Sequence, residues 1–520
     1  KNHQYCHPKS KFTILNTNTK IAKESAISFT GMGLGQVFRY LFTTLLARWA
    51  GVELLGIYSL ANAVTRITEV VGKLGLDQGI LRKVSREENT ENKQTAILSA
   101  LKMGVISGLI FMILQISIAG FLAENFFNQS SLLTKVIAIH ALSLPFYIII
   151  HISAFSTQAF KLLKYKIVVT EIQNPLILLL AMVVCYCFYS AESAIIIPVV
   201  ISAVLGCVTI SMFLKKISGV NFLSVKKGVF DKNLLNYSLP IMFMSILGTV
   251  LHWTDVIMLG YFTDPATVGL YHPAARTAGI IRIVLLSFAG IYGPLMAEMF
   301  AKKQTSEMNH LFKLVIRWII TFSLPFAILM LLYPRKVMLI FGGEFLYAYP
   351  ILMMLVGAAF LQAVFGIGGT TLNMTGFPKM NLLNTFIACG LNIGLNFYLI
   401  PKMGGLGAAT ATLITLAFIA LIRLIQNWIF LQLSPWSWSL TKPIIAGILT
   451  VGAAYLLKPF IMPFHTIITL MSAGFIIVFV FFTTLWLLGL DEDDSGLLAG
   501  IQIILGNFKS KSSDKNESYK

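Results

Sequence analysis

Stretches of about 20 predominantly apolar residues follow one another along almost the whole chain, each long enough to cross a bilayer as a helix. About fourteen are readable, near 25–47, 54–75, 97–121, 134–158, 167–189, 194–214, 237–261, 267–296, 314–333, 348–372, 381–400, 406–430, 442–458 and 466–489. Lipid offers no hydrogen-bond partners to a backbone, so only helices and closed barrels span it. A barrel would show short alternating strands instead. The fold class is therefore all-α, a polytopic membrane protein of about 14 transmembrane helices. Charged residues make up 12% of the chain, against about 25% in a soluble domain. Connections between the apolar runs are short and leave no room for a soluble domain.

The net charge of +18 would suit a nucleic-acid binder, but its distribution gives it another meaning. Most Lys and Arg fall on alternate connections: Lys9, Lys11, Lys20 and Lys23 before the first run, then Arg82, Lys83 and Arg86, then Lys161, Lys164 and Lys166, then Lys215, Lys216, Lys226 and Lys227. This is the positive-inside pattern, and it places both termini in the cytoplasm. The first apolar run is too long for a cleavable signal peptide and continues into a bundle. The five cysteines show no metal-ligand spacing. Gly31, Gly33 and Gly35 follow no strand, so they suit close helix contact rather than nucleotide binding. No cofactor and no metal are expected.

The chain repeats itself at an offset of about 213 positions. Gly56-Ile57-Tyr58-Ser59-Leu60-Ala61 resembles Gly269-Leu270-Tyr271-His272-Pro273-Ala274, and Gln158–Lys164 resembles Asn373–Lys379. Helix 1 thus corresponds to helix 7 and helix 4 to helix 10. The expected organisation is a tail at 1–24, a lobe of helices 1–6 at 25–214, a linker at 215–236, a lobe of helices 7–12 at 237–431, helices 13 and 14 at 442–489, and a tail at 490–520. Six helices is an even number, so the lobes share orientation and relate by an axis along the membrane normal.

Four arginines lie inside apolar runs: Arg39, Arg66, Arg276 and Arg282. Each costs roughly 2.5–3.5 kcal/mol at a helix centre on insertion scales, which is tolerable where the guanidinium faces a wet cavity or an anion. The repeat aligns Arg39 with His252, Arg66 with Gly279, and Glu69 with Arg282. Positions three apart share a helix face, so helices 2 and 8 carry their ionisable residues on equivalent stripes. Glu69 and Asp255 are the only acids deep in helices 1, 2, 7 and 8. A purely structural reading pairs Glu69 with Arg282; the surplus of cations favours an anion-binding cavity.

Three stretches carry a family resemblance: Arg48-Trp49-Ala50-Gly51-Val52-Glu53-Leu54-Leu55-Gly56-Ile57-Tyr58; Asp255-Val256-Ile257-Met258-Leu259-Gly260; and Asn392-Ile393-Gly394-Leu395-Asn396 followed by Leu399–Thr412. Through them the chain resembles the polysaccharide flippases of the multidrug/oligosaccharidyl-lipid/polysaccharide exporter superfamily, including O-antigen translocases. The resemblance implies two six-helix lobes around a cavity that opens alternately to either side of a bacterial inner membrane. It implies a polyprenyl-diphosphate-linked oligosaccharide as cargo, no catalysis, and work beside other polysaccharide-assembly membrane proteins. In related lipid II flippases, cavity arginines on the first, second and eighth helices matter; Arg39, Arg66, Arg276 and Arg282 occupy those helices here. Helices 13 and 14 are a departure from the twelve-helix pattern of many polysaccharide flippases.

The expected mechanism follows from the cargo's chemistry. Arg66 and Arg276 hold the diphosphate, Arg39 guides it outward and Arg282 receives it. Glu69, His252 and Asp255 are candidates for gating or for carrying a coupling H+ or Na+. Pro145, Pro175, Pro240, Pro273 and Pro325 are candidate kinks. Beyond helix 14, Asp491–Asp494 precedes an apolar spacing that suits a short interfacial helix. The competing readings are a drug or organic-cation antiporter of the same superfamily, which should present an acidic cavity, and a membrane glycan polymerase or ligase, which should present a catalytic constellation in a sizeable outer loop.

Overall fold

The computed structural model describes residues 8–129 and 131–489; the interfacial helix expected beyond residue 490 lies outside them. The described residues are helical almost throughout and contain no strand. Twelve helical stretches among them are long and apolar enough to cross a membrane. Two of these bend sharply at a glycine, and each contains two of the segments read from the sequence. α1 (Pro8–Gly72) breaks at Gly51 (φ 80°), while the helix Pro378–Leu431 breaks at Gly404 (φ 54°). Both φ values lie where a Cβ is unfavourable. The chain is a multi-pass helical membrane protein. Its exposed side chains agree: Ile110, Ile113, Phe121 and Phe188 would be buried in a soluble fold but are open to the surroundings here.

By internal packing the chain divides into two compact units, the first being Lys1–Thr277, Met338–Leu355 and Thr385–Thr415. After α1 it contains α2 (Leu76–Arg86), α3 (Thr90–Gly120), α4 (Ser131–Ala141), α5 (Leu144–Ala159), α6 (Leu163–Ile167), α7 (Asn174–Phe188), α8 (Ala191–Ser218), α9 (Lys232–Phe262) and α10 (Pro265–Ala278, up to Thr277). α5 is its central helix, with α2, α3 and α8 packed around it. Helices in lipid gain little from excluding water, so close packing of small residues substitutes for it. Gly104 lies against Ile152 and Ile148, and Gly108 lies against Pro145. Pro145 occupies the first turn of α5, where proline's missing amide costs nothing, and Pro175 follows the π-helical turn Val168–Gln173 that runs into α7 without a break. Pro240 and Pro273 lie within α9 and α10.

The repeated glycines of the two halves meet inside this unit. A Cβ on Gly56 would fall 1.7 Å from the Pro265 carbonyl oxygen and 3.1 Å from the Gly269 nitrogen. A Cβ on Gly269 would fall 1.9 Å from the Val52 carbonyl oxygen. Each motif thus packs on the surroundings of its own counterpart, the reciprocal contact expected of elements near a two-fold axis.

The second unit comprises Ala278–Val337, Val356–Asn384 and Leu416–Lys520. It contains α11 (Ile280–Ala301) and α12 (Thr305–Leu332), which carries Pro325. Its last two described helices, Thr441–Ile461 and Thr466–Leu487, pair with each other and pack on α12. Ile328, Tyr333, Ala454, Ala473 and Ile477 form the core of that contact. The run expected as one helix over 267–296 is interrupted between α10 and α11, where Gly279 caps the second piece. Pro273 removes an amide from the last turns of α10, and Thr277 turns its hydroxyl back onto the Pro273 carbonyl. The break falls between Arg276 and Arg282, which belong to different units.

Gly269→Val tests the glycine contact, because overpacking such a crossing costs about 1–3 kcal/mol. The expected outcome is a lowered melting temperature in detergent micelles. Gly248→Ala is the control and should leave it unchanged, since nothing lies within 4 Å of that glycine's missing Cβ.

Candidate functional site

The repeat put ionisable residues on α1 and α10, and the fold turns several of them toward one cavity in the first unit. The cavity holds about 310 Å³ and is lined by Arg39, Arg66, Arg276, Glu171, His151 and His272 among others. Its neutral polar lining includes Asn62, Asn174, Tyr58, Tyr147, Thr170 and Ser202. All these residues belong to the first unit.

Arg66 sits on the second arm of α1. Its Nη1 donates to Glu69 Oε2 at 2.7 Å, and its guanidinium carbon lies 4.6 Å from the ring centroid of Tyr147. The Tyr147 hydroxyl in turn lies 3.3 Å from Ser202 Oγ. The guanidinium is therefore held by a carboxylate on one side and an aromatic face on another, an arrangement that fixes its plane. Glu69 is almost fully buried, and its other oxygen faces Lys73 Nζ at 3.5 Å and His151 Nε2 at 3.1 Å. Lys73 also reaches Asp77 at 3.8 Å. The carboxylate read from sequence as a partner for Arg282 is thus taken by Arg66, Lys73 and His151. Arg66, three residues before Glu69, and Lys73, four residues after it, supply the nearest solution to burying that charge, and His151 joins them from α5.

Arg39 is engaged with a residue that the sequence reading overlooked. Its Nη2 donates to Glu171 Oε2 at 2.9 Å and to the Thr170 carbonyl at 3.2 Å. Both acceptors lie in a π-helical turn, Val168–Gln173, between α6 and α7. A π-turn adds a residue to the helix and frequently marks a functional site. Here α1 approaches it closely, because a Cβ on Gly35 would fall 2.0 Å from the Glu171 carbonyl oxygen. Glu171 was detectable as an acid inside an apolar run, by the criterion that found Glu69 and Asp255, had that criterion been applied to helix 5. His151, inside helix 4, carried the same signal.

Arg276 lines the cavity from α10, beside His272 one turn earlier. Three arginines against one carboxylate leave the cavity wall with a formal charge of +2. Glu69, behind the wall, is balanced by Lys73 as well as Arg66. His252 is exposed on α9, with its ring against Trp253, and it is Trp253 that lines the cavity. Arg282 stands at the start of α11 in the second unit. Two further arginines within membrane spans, Arg317 and Arg423, belong to that unit as well.

Asp255 forms a separate polar cluster in the first unit. It is 7% exposed. Its Oδ2 accepts from the Tyr271 hydroxyl at 2.5 Å and from Thr412 Oγ1 at 2.5 Å, and its Oδ1 accepts from Asn396 Nδ2 at 2.8 Å. Asn396 also donates to Asn392 at 3.1 Å. No Lys, Arg or His lies within ion-pair distance of Asp255 among the described residues. A buried carboxylate served by neutral donors alone calls for a proton or a small cation as its counter-charge. The two asparagines of the Asn392–Asn396 stretch are one helical turn apart, which lets Asn396 donate to Asn392 as well as to Asp255.

Residues 21–300 match the family model described as polysaccharide biosynthesis protein, and residues 240–398 match the MatE model. A protein of Haloferax volcanii named as the probable low-salt glycan biosynthesis flippase Agl15 is 27% identical over 405 residues, covering 76% of this chain and 81% of its own length. An uncharacterised membrane protein of Methanocaldococcus jannaschii is 23% identical over 359 residues, covering 65% and 70%. In fold the chain is similar to the lipid II flippase MurJ in an inward closed conformation, with a TM-score of 0.73 at 14% identity over 88% of this chain and 97% of that one. It is also similar to an inward-facing multidrug resistance transporter of the MATE family, with a TM-score of 0.68 at 12% identity over 78% and 98%. At such identities the structural likeness establishes the fold alone.

Glu69→Ala would leave Arg66 and Lys73 without their shared buried counter-charge. The expected loss of stability is about 3–5 kcal/mol, read as a lower unfolding midpoint in micelles. An unchanged midpoint would mean that Glu69 is not what neutralises this wall.

Proposed function

Because the chain belongs to the polysaccharide biosynthesis protein family, within the multidrug/oligosaccharidyl-lipid/polysaccharide exporter superfamily, we propose that it flips a polyprenyl-diphosphate-linked oligosaccharide from the inner to the outer leaflet of the cytoplasmic membrane, with both termini inside. The observation that carries this reading is the cavity wall, where three arginines stand against one carboxylate. Planar guanidinium groups bind phosphate oxygens in pairs and stay charged at any physiological pH.

Arg66 and Arg276 are assigned the diphosphate. Arg39, tied to Glu171, hands it outward as that ion pair opens, and Arg282 is assigned the inner-side contact. The neutral polar lining suits the glycan. Asn62, Asn174 and Ser202 offer donors and acceptors, and Asn174 Oδ1 is buried without a partner. The prenyl chain stays in lipid. Glu69 holds Arg66 in place rather than carrying a coupling ion. Asp255 is the assigned coupling site, for H+ or Na+. An inside-negative potential also favours outward movement of an anionic head, by roughly 2.3 kcal/mol per charge per 100 mV.

The match to the MatE model favours a second reading, export of an organic cation in exchange for an ion. A cavity with surplus guanidinium repels such a cargo, so the two readings differ in the sign of charge they transport.

In liposomes containing a fluorescent polyprenyl-diphosphate oligosaccharide, the wild-type chain is expected to expose the sugar to an external quencher. Arg66→Ala with Arg276→Ala should slow this by roughly 10²-fold or more, since charge-assisted hydrogen bonds are worth about 1.5–3 kcal/mol each. Normal flipping by the double variant, or movement of a fluorescent organic cation instead, would sink the assignment. Asp255→Asn should remove the acceleration given by an imposed Na+ or H+ gradient. Indifference of the wild-type chain to both gradients would dispose of coupling altogether.

A further inference from the structure

A second concavity lies in the first unit, outside the arginine-lined cavity. It runs between α2 and α9 as a hollow of about 520 Å³ and an adjoining one of about 300 Å³, with Arg82 and Tyr237 lining both. α2 is strongly two-faced. Leu76, Gly79, Ile80 and Val84 are buried, while Arg82, Ser85 and Arg86 face outward. Arg82 lies over the Tyr237 ring, 4.1 Å from its centroid. Past Tyr237 the wall becomes apolar, with Ile241 and Met244, and Met244 and the neighbouring Phe243 are open to the surroundings.

The charges of this groove are only partly accounted for. Lys83 is paired with Asp231, the residue that caps α9. Glu87, beside Arg86, accepts from the Asn92 side chain and the Asn89 amide. Arg82 and Arg86 have no carboxylate within 4.0 Å among the described residues. They stand four apart on one helix face, where like charges repel unless an anion sits between them. A cationic floor that passes into an exposed apolar wall within one helical turn matches a molecule with an anionic head and a hydrocarbon tail.

We propose that the groove between α2 and α9 holds an anionic phospholipid of the surrounding leaflet. Its phosphate is received by Arg82 and Arg86, and its acyl chain lies along Ile241 and Met244. The stack of Arg82 on Tyr237 orients the guanidinium at the polar boundary. Because the lipid touches both α2 and α9, it bridges helices from the two repeated halves. This site does not depend on the identity of the transported cargo.

Native mass spectrometry of the full chain in detergent, with phosphatidylglycerol or phosphatidylcholine added, tests it. The wild-type chain should retain phosphatidylglycerol in preference. Arg82→Ala with Arg86→Ala should reduce that retention by roughly tenfold, the effect of losing about 1.4 kcal/mol, with phosphatidylcholine unaffected. Arg82→Lys with Arg86→Lys keeps the charge and should retain most of the binding, which separates loss of the site from loss of the fold. Three results would overturn the proposal. One is equal phosphatidylglycerol retention by the alanine variant. Another is displacement of the lipid by millimolar inorganic phosphate alone, which would mark a free-anion site. The third is an equal loss in Arg66→Ala with Arg276→Ala, which would place the lipid in the arginine-lined cavity.

Discussion

A charge inside a helical bundle in lipid must find a counter-charge or water within reach, and this requirement organises the first unit. Glu69 is the point at which it is met most completely. Its two oxygens collect Arg66, Lys73 and His151. That fixes the rotation of the second arm of α1, and with it the guanidinium that faces the cavity. Breaking such a buried set costs far more than forming it gains, so the cluster acts as a positional constraint more than as a source of stability. The Arg39–Glu171 pair does the same for the first arm, and it leans on a π-turn that offers the Thr170 carbonyl as a second acceptor.

Backbone proximity is the second constraint. Gly56 and Gly269 bring the two halves of the repeat together at a distance that no side chain permits, and Gly35 seats α1 against the π-turn. These contacts set where Arg39, Arg66 and Arg276 can stand relative to one another, because all three lie on helices positioned by those glycines. Packing of small residues and compensation of charge are thus coupled. The glycines decide which guanidinium groups share a cavity, and the carboxylates decide which way those groups point.

Asp255 illustrates a different solution to the same problem. It is buried among Tyr271, Asn396 and Thr412, which donate hydrogen bonds but bring no charge. The first cluster is balanced by fixed cations and the second by neutral hydrogen-bond donors alone. The groove along α2 and α9 adds a third kind of environment, where arginines without a carboxylate partner meet an exposed apolar wall.

Local pattern carried the architecture. Apolar runs of helical length and the distribution of Lys and Arg state that the chain crosses a membrane many times as helices, since length and hydropathy are properties of single segments. The presence of charge inside those segments was equally plain at Arg39, Arg66, Glu69 and Asp255. What each charge faces was not. Glu171 was found only when helix 5 packed on α1, Glu69 took neighbours from its own turn and from α5 instead of Arg282, and the break at Gly279 sent Arg276 and Arg282 into separate units. Partner choice depends on helix rotation and on contacts between segments far apart in the chain, as Arg39 is from Glu171 and Glu69 from His151. Helical periodicity fixes a face within one segment but says nothing about which other segment that face meets.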